Sequence, residues 1–298
     1  MTPFADYLRV TVPITDFPTL RNDLSLDVLS HFGTDASADY VPLPGTDGAT
    51  VTFMAIRGVG LVSFPGQCLT ALREKNLFGT LLAVLMCRPH RVTRLDATAD
   101  WFGLPAEPFI RDIFAKGRDG GVRVTRKAVA RDAVSLQESV CADGSSSLLC
   151  YLGGRRQTRV KVYDKARERW KNAGIVPDGE ITRFEATARS EIRMTLADAY
   201  EPAALFWHLV APDVLESPPG VPSWVPHADG FSMEKTPTPL PAARAKRVVS
   251  NSADLDLLGR ISCDMGDADG LALVQRWASR RIEQAHWAER QRRLLRAS

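Results

Sequence analysis

The alternation of apolar and polar positions predicts strands interleaved with helices. Segments of period two, bounded by glycine or proline, predict strands at 7–14, 91–103, 159–165 and 181–192 and two strands over 49–66. A hairpin is predicted around "CADGSSS". Apolar residues three and four apart predict helices at 17–33, 67–88, 105–120, 166–174 and 195–210. Because the two element types do not alternate strictly, the pattern predicts an α+β fold. In it, a mostly antiparallel central sheet has one polar active face and helices packed on the other.

The composition changes after residue 211. Residues 212–241 hold eight of the 19 prolines, which predicts an extended linker or wrap over 212–249. A helical pattern returns from about Ser250. We therefore expect a folded domain at 1–211, the proline-rich linker or wrap at 212–249, and a basic helical C-terminal segment at 250–298.

Three of the predicted strands carry polar side chains on one side and small or apolar side chains on the other. Alternate side chains of a strand point in opposite directions, so each strand has a distinct polar side. If the three strands are neighbours, these sides form one surface, which we call the polar face. Its members, strand by strand, are Arg94, Asp96, Thr98 and Asp100; Arg159, Lys161, Tyr163 and Lys165; and Arg183, Glu185, Thr187 and Arg189.

Two interpretations of the polar face stay open at this point. An antiparallel sheet tolerates one solvated face, so the charges can simply be solvent-side residues. The distribution of charge favours chemistry instead, because Asp96, Asp100 and Glu185 lie on two strands while the strand of Tyr163 carries only cations. Carboxylates bind Mg²⁺ or Mn²⁺, and neighbouring cations favour a phenolate nucleophile. The face then predicts metal-assisted attack of Tyr163 on a phosphodiester.

The composition and the absence of certain motifs argue against several other classes of function. The chain has 298 residues, 45% hydrophobic and 24% charged, which is typical of globular proteins. Its longest apolar run, 78–87, is about half of what spans a bilayer, and no signal peptide is evident, so we expect a cytoplasmic protein without a membrane partner. Five scattered cysteines and five scattered histidines do not predict a disulfide frame or a zinc site. A P-loop motif is absent.

The net charge of +3 is distributed unevenly. From Arg276 to Ser298, seven arginines and two glutamates give +5, which leaves −2 for the rest of the chain. A basic helix of this kind either contacts phosphates or is a solvated helix face.

Taken together, "TRLDATADW", "YLGGRRQTRVKVYDK" and "TRFEATAR" resemble, in order and spacing, the replication initiation factor (Rep_trans) family. That family includes initiators of rolling-circle plasmids and replication proteins of filamentous phages. The resemblance covers roughly residues 7–210. It departs from the family pattern where "GGRRQT" replaces Gly-x-Arg-x-Ser, and where Ser63 stands in place of a glutamate found in some plasmid members.

The resemblance implies a rolling-circle replication initiator in which Tyr163 is the nicking nucleophile. Asp96, Asp100 and Glu185 would be the ligands of Mg²⁺ or Mn²⁺, and Lys165 would bind phosphate or lower the pKa of the tyrosine. The products would be a 5′-phosphotyrosine and a 3′-OH primer, followed by rejoining of strands. The expected DNA-binding residues are Arg94, Arg155, Arg156, Arg159, Lys161 and Arg183.

The partners implied are origin DNA, single-stranded or in a hairpin, and a helicase and a polymerase of the bacterial host. The basic C-terminal helix is expected to add duplex affinity or to mediate formation of a homodimer. Two other classes stay open: a non-catalytic DNA-binding regulator, and a metal-dependent nuclease with water as nucleophile. A conjugative relaxase is disfavoured by the missing histidine cluster.

Three further aromatic residues have alternative roles. Tyr151 is the rival nucleophile, but its apolar neighbours predict packing in the core or at an edge. Trp101 and Trp170 either stack on unpaired bases or belong to the core.

Overall fold

The computed structural model describes residues 1–46, 48–56, 58–125, 127–140, 146–155, 157–174, 179–226, 252–266, 269–280 and 282. The strands are β1 Phe4–Pro13, β2 Tyr40–Pro42, β3 Thr50–Ile56, β4 Val59–Pro65, β5 Arg91–Phe102, β6 Arg123–Val124, β7 Lys127–Ala128, β8 Val134–Val140, β9 Ser146–Leu152, β10 Arg159–Asp164 and β11 Ile181–Arg189. The helices are α1 Phe17–Asp27, α2 Gly66–Glu74, α3 Phe78–Met86, α4 Ala106–Arg118, α5 Lys165–Ala173, α6 Leu196–Tyr200, α7 Ala203–Val210 and α8 Ser252–Asp264. Residues 269–280 are also helical.

Nine of the described strands form one antiparallel sheet in the order β2-β3-β4-β1-β5-β11-β10-β9-β8. A short ribbon of β6 and β7 stands apart from it. The predicted α+β class with a mostly antiparallel central sheet is therefore confirmed. The hairpin predicted around "CADGSSS" is formed by β8 and β9, while the loop residues 141–145 lie outside the described residues.

The chain divides by its contacts into two compact units. One contains Met1–Arg9 and Val92–Ala228, and the other contains Val10–Arg91 and Asp229–Ser298. These boundaries differ from the three parts expected from the sequence, which stay predictions. Most of the proline-rich segment lies outside the described residues, whereas α8 and 269–280 agree with the helical pattern expected after Ser250.

In the first unit, β11 runs between β5 and β10, and helices cover its apolar side. Ala97, Ala99, Ala186 and Ala188 are fully buried there, and Phe184 packs edge-on against Phe109 of α4 with ring centroids 5.4 Å apart. Small side chains at these positions let the helices approach the sheet closely. The apolar members of the three patterned strands therefore form the core, as their period of two predicts.

Helices predicted as single elements are interrupted at three places. The helix expected over 17–33 ends at Asp27 and is followed by a 3₁₀ turn, Leu29–Phe32. The helix expected over 67–88 is divided into α2 and α3, because Asn76 adopts a left-handed conformation with φ of 56° between them. Asparagine is among the few residues that visit this region readily. The helix expected over 195–210 is divided into α6 and α7 at Pro202, which lacks the N–H that a continuous helix requires.

The second unit contains a hairpin of β3 and β4 that turns at Gly58, where φ is +82°. The two strands predicted over 49–66 are thus present. Gly60 lies against the ring of Phe17, and a Cβ added to it would approach that side chain to 2.2 Å. Across the described residues of the whole chain, no helix has the length and apolar character needed to cross a bilayer.

We predict that Gly60→Ala destabilises the protein by about 1–3 kcal/mol, since the new methyl group overpacks the Phe17 contact. Gly259→Ala is the control: this glycine lies inside α8 with open space around it, so alanine should stabilise by up to about 1 kcal/mol. Urea unfolding of both variants measures the difference. Equal free energies of unfolding for Gly60→Ala and wild type would refute the proposed contact.

Candidate functional site

The centre of the polar face is buried. Asp96 is 3% exposed, Glu185 5% and Arg183 6%, and the side chains of Thr98 and Thr187 are inaccessible. The interpretation of these positions as solvent-side charges is therefore wrong. A buried charge needs a partner of opposite sign, so each ion pair here positions its members.

The strand register arranges the polar face in rows that cross β10, β11 and β5. Tyr163 lies opposite Arg183, which lies opposite Asp100. In the next row are Lys161, Glu185 and Thr98, and in the third are Arg159, Thr187 and Asp96. The three strands are thus neighbours, as predicted, and carboxylates alternate with cations on their shared face.

Arg183 is the centre of the first row. Its Nε and Nη2 donate to the two carboxylate oxygens of Asp100 at 2.5 and 2.7 Å, and its Nη1 donates to Asp6 Oδ2 at 3.2 Å. Burial raises the pKa of Asp6, and the charge of Arg183 opposes that shift. Sequence analysis missed Asp6 because the first strand was expected to begin at Tyr7. Strict alternation over 4–10 would place Asp6 on the side opposite Tyr7 and Arg9, so the pattern carried no signal for this contact.

Asp96 and Glu185 form a pair of neighbouring carboxylates. Arg94 donates to both oxygens of Asp96, with Nε to Oδ1 at 2.9 Å, and Lys161 forms an ion pair with Glu185. Burial and the charge of Asp96 raise the pKa of Glu185 to about 7, while Lys161 opposes the shift. The two carboxylates therefore repel each other, although each has a cation of its own.

The donor set around this pair fits a divalent cation. The buried hydroxyls of Thr98 and Thr187 have no hydrogen-bond partner among the described residues, and both lie on the polar face beside the two carboxylates. Mg²⁺ commonly uses one or two carboxylates with waters and a substrate phosphate. Asp100 and Asp96 both fit less well than predicted, because Arg183 occupies both oxygens of Asp100 and Arg94 occupies both oxygens of Asp96. In the described part of the chain, no group of three His, Cys, Asp or Glu side chains is placed to hold a metal.

Tyr163 lies near the end of β10, where its side chain is half-buried. The ammonium of Lys161 is 6.0 Å from the centre of its ring. Burial raises the pKa of the Tyr163 hydroxyl well above its ordinary value, and Arg183 only partly opposes that shift. The cation Arg183 acts on this pKa in the predicted direction, but burial outweighs it. These cations are themselves paired with carboxylates, so the loss of hydration outweighs their attraction.

Lys165 is the first residue of α5, directly after the strand of Tyr163. It forms an ion pair with Glu168 one turn along the helix. The side chain of Asp164 caps this helix by accepting a hydrogen bond from the backbone N–H of Arg167 at 2.9 Å. The motif lysine therefore contributes to the helix start, and its roles in phosphate binding or in lowering the tyrosine pKa stay predictions.

A groove of about 720 Å³ opens beside Tyr163. Its lining includes Tyr151, Lys161, Glu168 and Lys171. Tyr151 lies opposite Lys161 on β9, on the same side of the sheet as Tyr163, and Arg159 covers its ring at 4.8 Å. Core packing, as expected for Tyr151, therefore does not describe its position.

The remaining predicted residues are two arginines and two tryptophans. Arg155 is exposed, and its carbonyl accepts a hydrogen bond from Arg189 at 3.3 Å. Arg156 lies outside the described residues. Trp101 is 41% exposed with its ring against Phe184, and Trp170 lines a second cavity of about 620 Å³ beside α4.

No protein-family model matches this chain, and no curated protein matches it at a significant level. The resemblance to the Rep_trans family therefore rests on the quoted motifs alone. The candidate site has to be judged by its own geometry.

We predict that Glu185 makes the protein less stable as the pH rises from 4.5 to about 7. Its folded-state pKa lies above its ordinary value of 4.5, so the folded state binds more protons in this interval and loses that advantage as the proton leaves. Glu185→Gln removes this contribution. The free energy of unfolding, measured with urea at pH 5 and pH 8, should fall less for the variant than for wild type.

The matched control for this experiment is Glu107→Gln, which changes an exposed carboxylate of α4. Its two free energies should differ as much as those of wild type. If the Glu185→Gln and wild-type curves run parallel between pH 5 and pH 8, the raised pKa is wrong.

Proposed function

We propose that this protein nicks and rejoins one DNA strand to initiate rolling-circle replication, with Tyr163 as the nucleophile. One observation carries the proposal: Tyr163 lines an open groove and lies next to a buried cation, with two neighbouring carboxylates one and two rows away. Phosphodiester transfer requires a nucleophile, a group that offsets charge on phosphorus, and access for an extended strand. This part of the polar face offers all three.

The groove suits a single strand better than a duplex. Two lysines, Lys161 and Lys171, lie along it among the carboxylates of Glu138, Asp164 and Glu168, and the ring of Tyr151 offers a surface on which a base can stack. Single-stranded DNA is commonly bound by such a combination of basic groups and aromatic rings. A nick site that is extruded as a single strand or a hairpin would therefore fit this substrate class.

In the proposed reaction, the phenolic oxygen of Tyr163 attacks the scissile phosphorus. A bond forms between this oxygen and phosphorus, and the bond from phosphorus to the 3′ oxygen breaks. The products are a 5′-phosphotyrosine and a 3′ oxygen that takes up a proton to become the hydroxyl primer. The reverse attack by a 3′-OH rejoins strands, so the phosphodiester energy is conserved without ATP.

The raised pKa of Tyr163 requires a base that removes its proton during attack. Asp6 is a candidate beside Glu185 and Glu168, whose charges also act on Tyr163. It contacts Arg183, the cross-strand neighbour of Tyr163, and burial makes its carboxylate more basic. Arg183 supplies a fixed positive charge beside the reacting phosphate. A divalent cation held by Asp96 and Glu185, Mg²⁺ or Mn²⁺, would offset further negative charge on the phosphoryl oxygens.

This function implies the partners and the location that the sequence predicts. Origin DNA is the substrate, and a host helicase and polymerase would supply unwinding and synthesis in the bacterial cytoplasm. The chain itself carries no P-loop motif.

A second candidate is a metal-dependent nuclease with water as nucleophile. The observation that favours it is the burial of Tyr163, which keeps its hydroxyl protonated at neutral pH. In that reaction Glu185, with a pKa of about 7, would accept the proton from water.

We predict that Tyr163→Phe abolishes a covalent protein–DNA adduct that wild type forms with labelled single-stranded DNA of its own origin region. The reaction contains Mn²⁺ or Mg²⁺, and a denaturing protein gel separates adduct from free DNA. Tyr151→Phe is the matched control, because it removes another hydroxyl from the same groove and should leave the adduct in place. Cleavage by Tyr163→Phe without an adduct would establish the water-using nuclease instead. Binding without cleavage at every metal concentration would indicate a DNA-binding regulator.

A further inference from the structure

Four arginines gather at the end of the polar face that lies away from Tyr163. Arg189 lies directly opposite Arg94 in the pairing of β11 with β5, and Arg159 lies opposite Thr187 in the adjoining row. Arg9 is the fourth member, since its charge, like those of Arg94 and Arg159, acts on Arg189. We call these four residues the arginine cluster.

The arginine cluster is unfavourable when nothing is bound to it. Like charges placed directly opposite each other in a sheet are destabilising. Burial and the charges of Arg94 and Arg159 lower the pKa of Arg189, and Asp96 only partly opposes them. The sequence thus maintains a local repulsion that folding alone does not require.

Two carboxylates near the cluster are already engaged. Asp96 is bound on both oxygens by Arg94, and Glu191 accepts hydrogen bonds at 2.7 Å from the backbone N–H and the hydroxyl of Thr158. They leave the repulsion between Arg94 and Arg189 in place.

Two donors of the cluster lack acceptors. The Nε atoms of Arg159 and Arg189 are buried and have no hydrogen-bond partner among the described residues. Buried polar atoms are nearly always hydrogen-bonded in folded proteins, and those that are not call for a specific explanation. Guanidinium groups match the oxygens of a phosphate in geometry and charge, so a bound phosphate would satisfy both donors and relieve the repulsion.

We propose that the arginine cluster is a phosphate subsite that holds a DNA backbone phosphodiester other than the one attacked by Tyr163. The inference rests on the proposed function, because it places the same strand along the same face. Arg159 and Tyr163 are four residues apart on β10, which corresponds to ~13 Å at ~3.3 Å per residue. Tyr151 lies opposite Lys161, in the row between them, where a base can stack. The subsite thereby fixes the direction in which the strand lies.

The first test measures binding of a labelled, mixed-sequence single-stranded oligonucleotide at several salt concentrations, by fluorescence anisotropy. All proteins carry Tyr163→Phe so that no strand is cut. Each lost phosphate contact reduces the slope of log affinity against log salt by ~0.7 for single strands. Arg159→Gln and Arg189→Gln should each weaken binding and reduce the slope by this amount, and the double variant should reduce it no further.

Arg118→Gln is the matched control. It removes the same charge from an exposed position on α4, the helix that packs against the opposite side of the sheet, and should leave affinity and slope unchanged. Thermal melting provides an independent reading. Inorganic phosphate should raise the melting temperature of the Tyr163→Phe protein and of Arg118→Gln, but not that of the Arg159→Gln/Arg189→Gln variant.

The outcomes separate this inference from the proposed function. If the arginine variants bind with the wild-type slope while Tyr163 still forms an adduct, the subsite is wrong and the nicking function stands. If the slope falls but no adduct forms with wild type, the subsite stands and the tyrosine mechanism fails.

Absence of single-strand binding by the Tyr163→Phe protein, together with no response to phosphate, overturns the subsite. A lower melting temperature for Arg189→Gln without phosphate would also count against it, because relief of repulsion should not destabilise.

Discussion

The buried pair of Arg183 and Asp100 is the interaction on which the rest of the site depends. Two parallel hydrogen bonds join β11 to β5, and Asp6 adds a third from β1. Breaking such a pair by removing one partner leaves an uncompensated buried charge, which costs ~3–5 kcal/mol. A slip of one residue would bring Phe184 to this position, so the pair also specifies the register. Tyr163, Glu185 and their neighbours are placed by that register.

Most charges on the polar face have a partner of opposite sign, but like charges also repel each other at two places. Around Tyr163 the cations are occupied by carboxylates, so burial dominates and the hydroxyl keeps its proton. Asp96 and Glu185 repel each other although each has a cation, and Arg94 and Arg189 repel each other across the strand pair. An incoming strand with its cation would meet both repulsions at once. The two repelling pairs are of opposite sign, and each would be relieved by one component of the same substrate.

The sequence predicts the strands and their faces because period two is a local property. Val160 and Val162 alternate with Lys161 and Tyr163 in the structure as in the pattern. The pattern does not reveal that the polar side is buried, since burial depends on elements distant in the chain. Asp6 enters the site from β1, about ninety residues before Asp96, and only the sheet order brings them together.

Local sequence patterns also do not predict where the helices are interrupted or which charged side chains pair with each other. Asn76 and Pro202 are each compatible with a helix boundary, but the apolar periodicity continues across them and suggests one helix. Which carboxylate an arginine selects depends on cross-strand register. Arg183 lies beside Tyr163 and was expected to bind DNA, whereas its guanidinium is engaged with Asp100 and Asp6. Arg189 carried no predicted role, because its crowding with Arg94 exists only after the strands pair.

The cap that Asp164 places on α5 has a mechanical consequence. Tyr163 is followed immediately by this cap, so the tyrosine backbone is continuous with a strand on one side and a helix on the other. A DNA end attached to this side chain would pull on the junction between two regular elements instead of on a flexible loop. Tension in the attached strand would then act on the pairing of β10 with β11, which also positions Arg183 and Glu185. Tyr163, which would hold the DNA end, and the side chains that would assist its release would then belong to the same pair of strands.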